Sequence, residues 1–310
     1  MVATLLFTAQ TTVWIREAVK TPVREVAKGK PAAPFTAAHY AVWAAAALVS
    51  LTATVADPAG LGARAALPFG LAATVGGYLL GERVPKGMQG ALHPVVVTAL
   101  VANGGVALQG ALRGVSYESA QQSYLNKGAE SLMGAGDALM SLLGVVIVSF
   151  GFRIYGQRDT ARRHAPEIFG ATALSSLFSL FSTAFAAKAV GLTPLLARAL
   201  IPRSVTVALA LPIAQGLEAP LAITAAAVLL QGILGANFGP GLMTAVGIKD
   251  TIARGLAAAG TAGGLGTASL TSKEPEALPF CALSYAMVGI FSTCVTAIPA
   301  VRDALIAIVA

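Results

Sequence analysis

The sequence predicts an all-α polytopic membrane protein of about nine to ten transmembrane helices, built as an inverted repeat with Pro- and Gly-broken helices. Three observations carry this. The 310 residues are 56% hydrophobic and only 11% charged, whereas soluble domains carry about 25% charged residues. The apolar residues lie in long blocks, several above the ~18 residues that suggest a membrane span. Pro and Gly stand inside several of these blocks, where a soluble core helix would lose roughly 1 kcal/mol per Gly against Ala. A soluble enzyme would show alternating polar faces, which these blocks lack.

Taken in order, apolar segments occupy 2–15, 37–55, 62–80, 91–111, 134–156, 168–190, 194–213, 220–245, 251–269 and 277–298. Between the first two, residues 16–36 carry Arg16, Lys20, Arg24, Lys28 and Lys30 before Pro31 and Pro34, and read as a solvated basic loop. Residues 112–133 form the longest polar insert and read as a second loop. Two half-chains echo each other, about 60–160 and 165–303. His93-Pro94 opens an apolar segment in one and Pro202-Arg203 in the other. Gly134-Ala135-Gly136-Asp137 and the Gly260 to Ala268 run then follow in turn. Paired interruptions at corresponding positions are the sequence pointer to a transporter site.

The net charge of +7 implies no nucleic acid, because in a membrane protein Lys and Arg report orientation. With loops 16–36, 81–90, 157–167 and 270–276 on one side, that side and its helix ends hold 12 basic residues against 8 opposite. Cys281 and Cys294 sit in an apolar segment and read as buried free thiols. No Ser/His/Asp arrangement, phosphate loop or metal spacing is present, so neither an enzyme nor a cofactor is expected. His39, His93 and His164 are isolated along the sequence.

Arg203 is the residue that needs a reason. A guanidinium at mid-membrane costs about 2.5–3.5 kcal/mol on insertion scales, so it faces a partner or a wet cavity. Pro202 beside it cannot donate a backbone hydrogen bond. A half-helix starting there would aim the amides of Ser204 to Thr206, and the positive dipole end, at an anion. Arg203 could clamp a carboxylate with two donors; the bland alternative is snorkelling to a lipid phosphate. Asn103, Asn237 and Gln231 can read a hydroxyl or join helices. Thr267, Ser269 and Thr271 can line the same cavity, against the Gly264 and Gly266 backbone. Asp137 reads first as an N-cap and second as a proton or cation site.

The C-terminal quarter carries a resemblance. Ile252-Ala253-Arg254-Gly255, Gly264-Leu265-Gly266-Thr267-Ala268 and Ser272-Lys273-Glu274-Pro275-Glu276-Ala277-Leu278-Pro279-Phe280-Cys281 resemble the end of the LrgB-type membrane protein family. Pro202-Arg203-Ser204-Val205-Thr206-Val207, Leu230 to Ala236 and His93 to Thr98 match its other segments in order, and Tyr124 with Lys127-Gly128 falls where it has Tyr-Asn-Lys-Gly. The plant and algal branch, the plastidal glycolate/glycerate translocators, is the nearer match. One position departs. The family's usual histidine before Gly-Thr-Ala falls at Gly263 here, which would shift any proton coupling to His93, Asp137 or Glu274.

The resemblance implies a carrier for small hydroxy-monocarboxylates, glycolate and glycerate, in the plastid inner envelope. Its partners would be the bilayer and a second copy in a homodimer. It also implies that residues 1–36 are the last helix of an upstream LrgA-like half with its basic linker, ahead of a 37–310 transport domain. The expected substrate-binding residues are Arg203, Ser204, Thr206, Asn103, Asn237, Gly264, Gly266, Thr267, Ser269 and Lys273. The rival readings are a holin-like, lysis-regulating protein of a bacterial inner membrane, a pyruvate-like monocarboxylate transporter, and a cation/proton exchanger with an essential carboxylate. Breaks are expected near Pro202 and within Gly260 to Gly266, approaching one another.

Overall fold

The computed structural model describes residues 1–20, 34–85, 88, 92–126 and 132–310, and among these it is all-α, with no strand. In chain order the helices are α1 (Val2–Val19), α2 (Ala37–Ala56), α3 (Leu61–Glu82), α4 (Pro94–Arg113), α5 (Tyr117–Tyr124), α6 (Ala135–Ser141), α7 (Leu143–Gly156) and α8 (Arg158–Arg163). There follow α9 (Ala171–Ala189), α10 (Pro194–Leu200), α11 (Val207–Gly216), α12 (Leu221–Ala245), α13 (Thr251–Thr271), α14 (Leu278–Ala297) and α15 (Pro299–Val309). A π-turn at Pro166–Gly170 leads into α9, and a 3-10 turn at Pro275–Ala277 leads into α14. Among the described residues, seven segments are long and apolar enough to cross a membrane: α2, α3, α4, α6 with α7, the π-turn with α9, α12, and the 3-10 turn with α14. The three other expected spans are α1, the α10–α11 pair and α13. The chain is thus an all-α polytopic membrane protein.

Two compact units divide it: residues 31–144, and residues 1–30 together with 145–310. In the first, α2, α3 and α4 pack side by side. Their backbones come close because the contact positions are small. A Cβ on Gly81 would stand 2.6 Å from the Cα of Pro94, and one on Gly77 2.9 Å from the Val101 Cβ. Asp57 turns the chain from α2 into α3, its carboxylate accepting from the amides of Gly60 at 2.9 Å and Leu61 at 3.0 Å.

In the second unit α9, α10, α11, α14 and α15 enclose one core, with Leu180, Ile201, Leu217 and Leu305 fully buried. A second core forms where α1 lies on α12 and α13, around Leu5, Met243 and Leu270. Gly again sets the spacing: a Cβ on Gly289 of α14 would stand 2.5 Å from Leu209 Cδ1 of α11.

Several expectations need correction. The first helix runs past residue 15 to Val19, so Arg16 belongs to its last turn and pairs with Asp250 at 2.8 Å instead of facing solvent in a loop. The insert 112–133 contains a helix, α5, because Ser116 caps it by accepting from the Ser119 amide. The tail beyond 298 forms α15, started by Pro299 at its first position. His164 is not isolated: its ring lies 3.5 Å from Glu167, both buried. Cys281 is buried as expected, but Cys294 is exposed. Arg24, Lys28, Lys30, Lys86, Lys127 and Gly128 lie outside the described residues.

Candidate functional site

Two helices of the second unit are interrupted, and the candidate site lies at the interruptions. The segment 194–213 is two half-helices, because α10 ends at Leu200 and α11 starts at Val207. Pro202 stands in the gap, and only turn-like bonds cross it: Arg203 donates to the Leu200 carbonyl at 3.1 Å and Val205 to that of Pro202 at 2.9 Å. Thr206 is the N-cap of α11. The half-helix therefore starts later than the sequence suggests. The amides at its open end are those of Val207 and Ala208, which have no carbonyl one turn back to bond.

The second interruption lies inside α13. Gly263 has φ 58° and ψ −138°, a conformation that a side chain strains and that glycine adopts freely. The break frees carbonyls that a hydrocarbon medium cannot solvate. Polar side chains answer them: Gln231 of α12 donates to the Thr261 carbonyl at 3.1 Å and Thr267 to that of Gly263 at 3.0 Å. Past the break, the amides of Gly264 to Gly266 open a second half-helix with its positive end at the gap.

Tyr285 of α14 joins the two gaps. Its hydroxyl lies 2.9 Å from Thr206 Oγ1. Its ring edge is the nearest neighbour of Gly263, where a Cβ would stand 3.3 Å away, and its hydroxyl is 3.8 Å from a Cβ placed on Gly264. Phe150 meets the ring edge-on at 5.3 Å. Both breaks occur, as expected, and the same tyrosine touches each of them. Sequence reasoning missed Tyr285. The available signal was a phenol within an otherwise apolar span, which needs a hydrogen-bond partner when buried.

Arg203 lies in the first gap. Its Nη1 is buried without a hydrogen-bond partner, and it forms no ion pair among the described residues. Next to it, Ser204 is buried and its hydroxyl is 2.6 Å from that of Ser179 on α9.

The remaining expected residues are scattered. Ser269 donates to the Ala236 carbonyl at 2.5 Å and so ties α13 to α12. Gly266 is buried at the break, where a Cβ would stand 2.7 Å from that of Ala262. Asn237 is exposed on α12 and Lys273 is exposed after α13. Glu274 accepts both donors of Arg254, at 2.8 and 2.6 Å, and Arg254 also donates to the Ile248 carbonyl at 2.8 Å. That pair edges a cavity of about 330 Å³ with Lys249 and Glu276.

Asn103, His93 and Asp137 belong to the unit 31–144. Asn103 accepts from Tyr117 at 2.8 Å and donates to the Ala99 carbonyl at 2.7 Å. His93 is the N-cap of α4, its Nδ1 accepting from the Val95 amide at 3.3 Å; burial pushes its pKa below the ordinary value. Asp137 is not the N-cap expected of it: Gly134 takes that place, and Asp137, third in α6, accepts from the amides of Asn126 at 3.0 Å and Gly134 at 3.1 Å, the far half of a capping box.

The profile of the LrgB-like family matches residues 74–301. The chain belongs to the LrgB-like family. Among its relatives is the plastidal glycolate/glycerate translocator 1, chloroplastic, of Arabidopsis thaliana, 41% identical over 99% of this chain and 60% of the relative. An uncharacterised protein of Haemophilus influenzae is 29% identical over 51% of the chain and 69% of its own length. An antiholin-like protein LrgB of Bacillus cereus is 30% identical over 41% of the chain and 55% of its own length. The chain thus spans about three-fifths of the Arabidopsis relative. No solved structure matches it.

Proposed function

We propose that this LrgB-like protein is a carrier that exchanges small hydroxy-monocarboxylates, glycolate and glycerate, across the plastid inner envelope. One observation carries the reading: a partly buried arginine in a helix gap, with its Nη1 buried and unpartnered among the described residues, whose neighbouring half-helix end meets a second gap at Tyr285. Two positive helix ends and a guanidinium suit one carboxylate. The hydroxyls of Thr206 and Ser204 suit the alcohol beside it. Thr267 and Ser269 support the same region by holding the break in α13 to itself and to α12. Substrate binds between the gaps, the bilayer surrounds the spans, and a second copy completes a homodimer. Residues 37–310 are read as the transport domain, with residues 1–36 as a helix and basic linker ahead of it.

The likeness to the Arabidopsis translocator supports this substrate class. The antiholin-like relatives match a smaller share of the chain, and a pore needs no discrete anion site. The carrier is not an enzyme and takes no cofactor in this reading. The test is counterflow of labelled glycolate and glycerate in proteoliposomes, with pyruvate as competitor. Saturable, stereoselective exchange is the expected result. Linear, non-selective leakage would favour a lysis-regulating pore, and pyruvate outcompeting both acids would favour the pyruvate-like alternative.

A further inference from the structure

We infer that Tyr285 and Thr206 together form the subsite that reads the substrate's α-hydroxyl, an inference that rests on the carrier reading above. The two side chains come from different helices, α14 and α11, and their oxygens lie 2.9 Å apart. Each hydroxyl has one proton and two lone pairs. Bonded to one another they use one proton between them, leaving the second proton and the remaining lone pairs for a third hydroxyl. A substrate alcohol entering between them can accept from one and donate to the other, so their mutual bond is exchanged and no buried polar atom is left unmet.

The position also fits. Thr206 is the N-cap of α11 and lies three residues from Arg203. A carboxylate drawn to the guanidinium and to the α11 amides therefore carries its α-carbon toward Thr206. The phenol ring is held on two sides. Phe150 meets it edge-on at 5.3 Å, and Gly263, lacking a side chain, admits its edge at the break in α13. Anchored this way, the hydroxyl is presented with little rotamer freedom left to lose on binding.

An acid lacking the hydroxyl would leave the pair bonded to itself and gain nothing from it. The subsite therefore separates hydroxy acids from their deoxy analogues without touching the carboxylate. A purely structural contact would only tie α11 to α14, and its loss would weaken every substrate equally.

The experiment uses the full chain in proteoliposomes, with labelled glycolate counterflow competed by unlabelled glycolate or acetate. The parent is expected to prefer glycolate. Tyr285→Phe removes one oxygen and keeps the ring; it should raise the half-saturating glycolate concentration roughly 3- to 10-fold, the range for one neutral hydrogen bond, and leave that for acetate within about 2-fold. Thr206→Val should do the same. The double variant should fall little below either single one, because both oxygens serve one substrate hydroxyl. Thr206→Val leaves the Tyr285 ring in place, so it decides the matter should Tyr285→Phe fail to fold. A parent-like glycolate-to-acetate ratio in both variants overturns the subsite alone, as does an equal loss for both acids. Absence of saturable uptake by the parent overturns the carrier reading, and the subsite with it.

Discussion

Arg203 and Gly263 are each explained by what their positions deny them. The guanidinium of Arg203 has a buried nitrogen with no acceptor among the described residues, so a bound carboxylate is worth more to it than to an exposed arginine. Arg203→Gln should abolish saturable uptake. Arg203→Lys keeps the charge without the planar fork and should retain part of it. A hydrogen bond to a charged group contributes about 1.5–3 kcal/mol, so glycolate binding in detergent should fall by roughly one to two decades for the lysine variant. Parent-like binding by the glutamine variant would make Arg203 structural. Gly263 must hold φ 58°, and Gly263→Ala should cost about 1–3 kcal/mol in thermal unfolding. The family histidine would meet the same strain here, with the Tyr285 ring 3.3 Å from its Cβ.

Helix ends and breaks follow local chemistry. Pro202 and the Gly260 to Gly266 run mark both interruptions in the sequence, and both occur. Local signals place the first one less well, because Ser204 and Val205 remain in the turn and α11 waits for Thr206 as its cap. Across the second break, the Arg254–Glu274 pair ties the first turn of α13 to the turn before α14. Glu274→Gln leaves the buried guanidinium one donor short of acceptors, and should lower stability by about 1.5–3 kcal/mol while sparing exchange. If instead exchange is lost at an unchanged melting temperature, Glu274 is a coupling group. At Asp137, the amide variant keeps the capping oxygen, so Asp137→Asn should leave glycolate exchange near the parent's. Loss of exchange in a folded variant would favour an ion-coupled carrier. The corner at Asp57 gives a pH expectation. The amide of Gly60, then that of Leu61, hold its carboxyl below the usual value of 3.8. A depressed pKa in the fold means that its stabilisation is full above 3.8 and is lost as pH falls through the lower folded value. Protection of the Gly60 and Leu61 amides from hydrogen exchange, measured relative to unstructured amides at the same pH, should therefore be lost only in that acid window.

Across the chain, the membrane class, the order of the spans and the two broken segments are all written in composition and in the placement of Pro and Gly. These are near-neighbour effects: a missing amide or a missing Cβ acts on the residues beside it. Arg203 could be singled out for the same reason, since a lone guanidinium among apolar neighbours is costly wherever the chain goes. The family likeness was legible in short segments such as Pro202 to Val207 and Ser272 to Cys281, because they keep their order along the chain. Which residues meet was not legible. Asn103 and Asp137 look as suited to a site as Thr206 does, yet both are engaged within the unit 31–144, one with Tyr117 and one with backbone amides. His164 looks isolated until the π-turn before α9 brings Glu167 beside it. Tyr285 is 79 residues from Thr206, and no periodicity or spacing links positions so far apart. Packing of α14 against α11 and α13 links them, through glycines that let the backbones close. Sequence alone determined where the chain must break and where a charge must be answered, because those depend on the chain's own neighbours. The tertiary structure decided what stands between the breaks, because that depends on which distant helix fills the space.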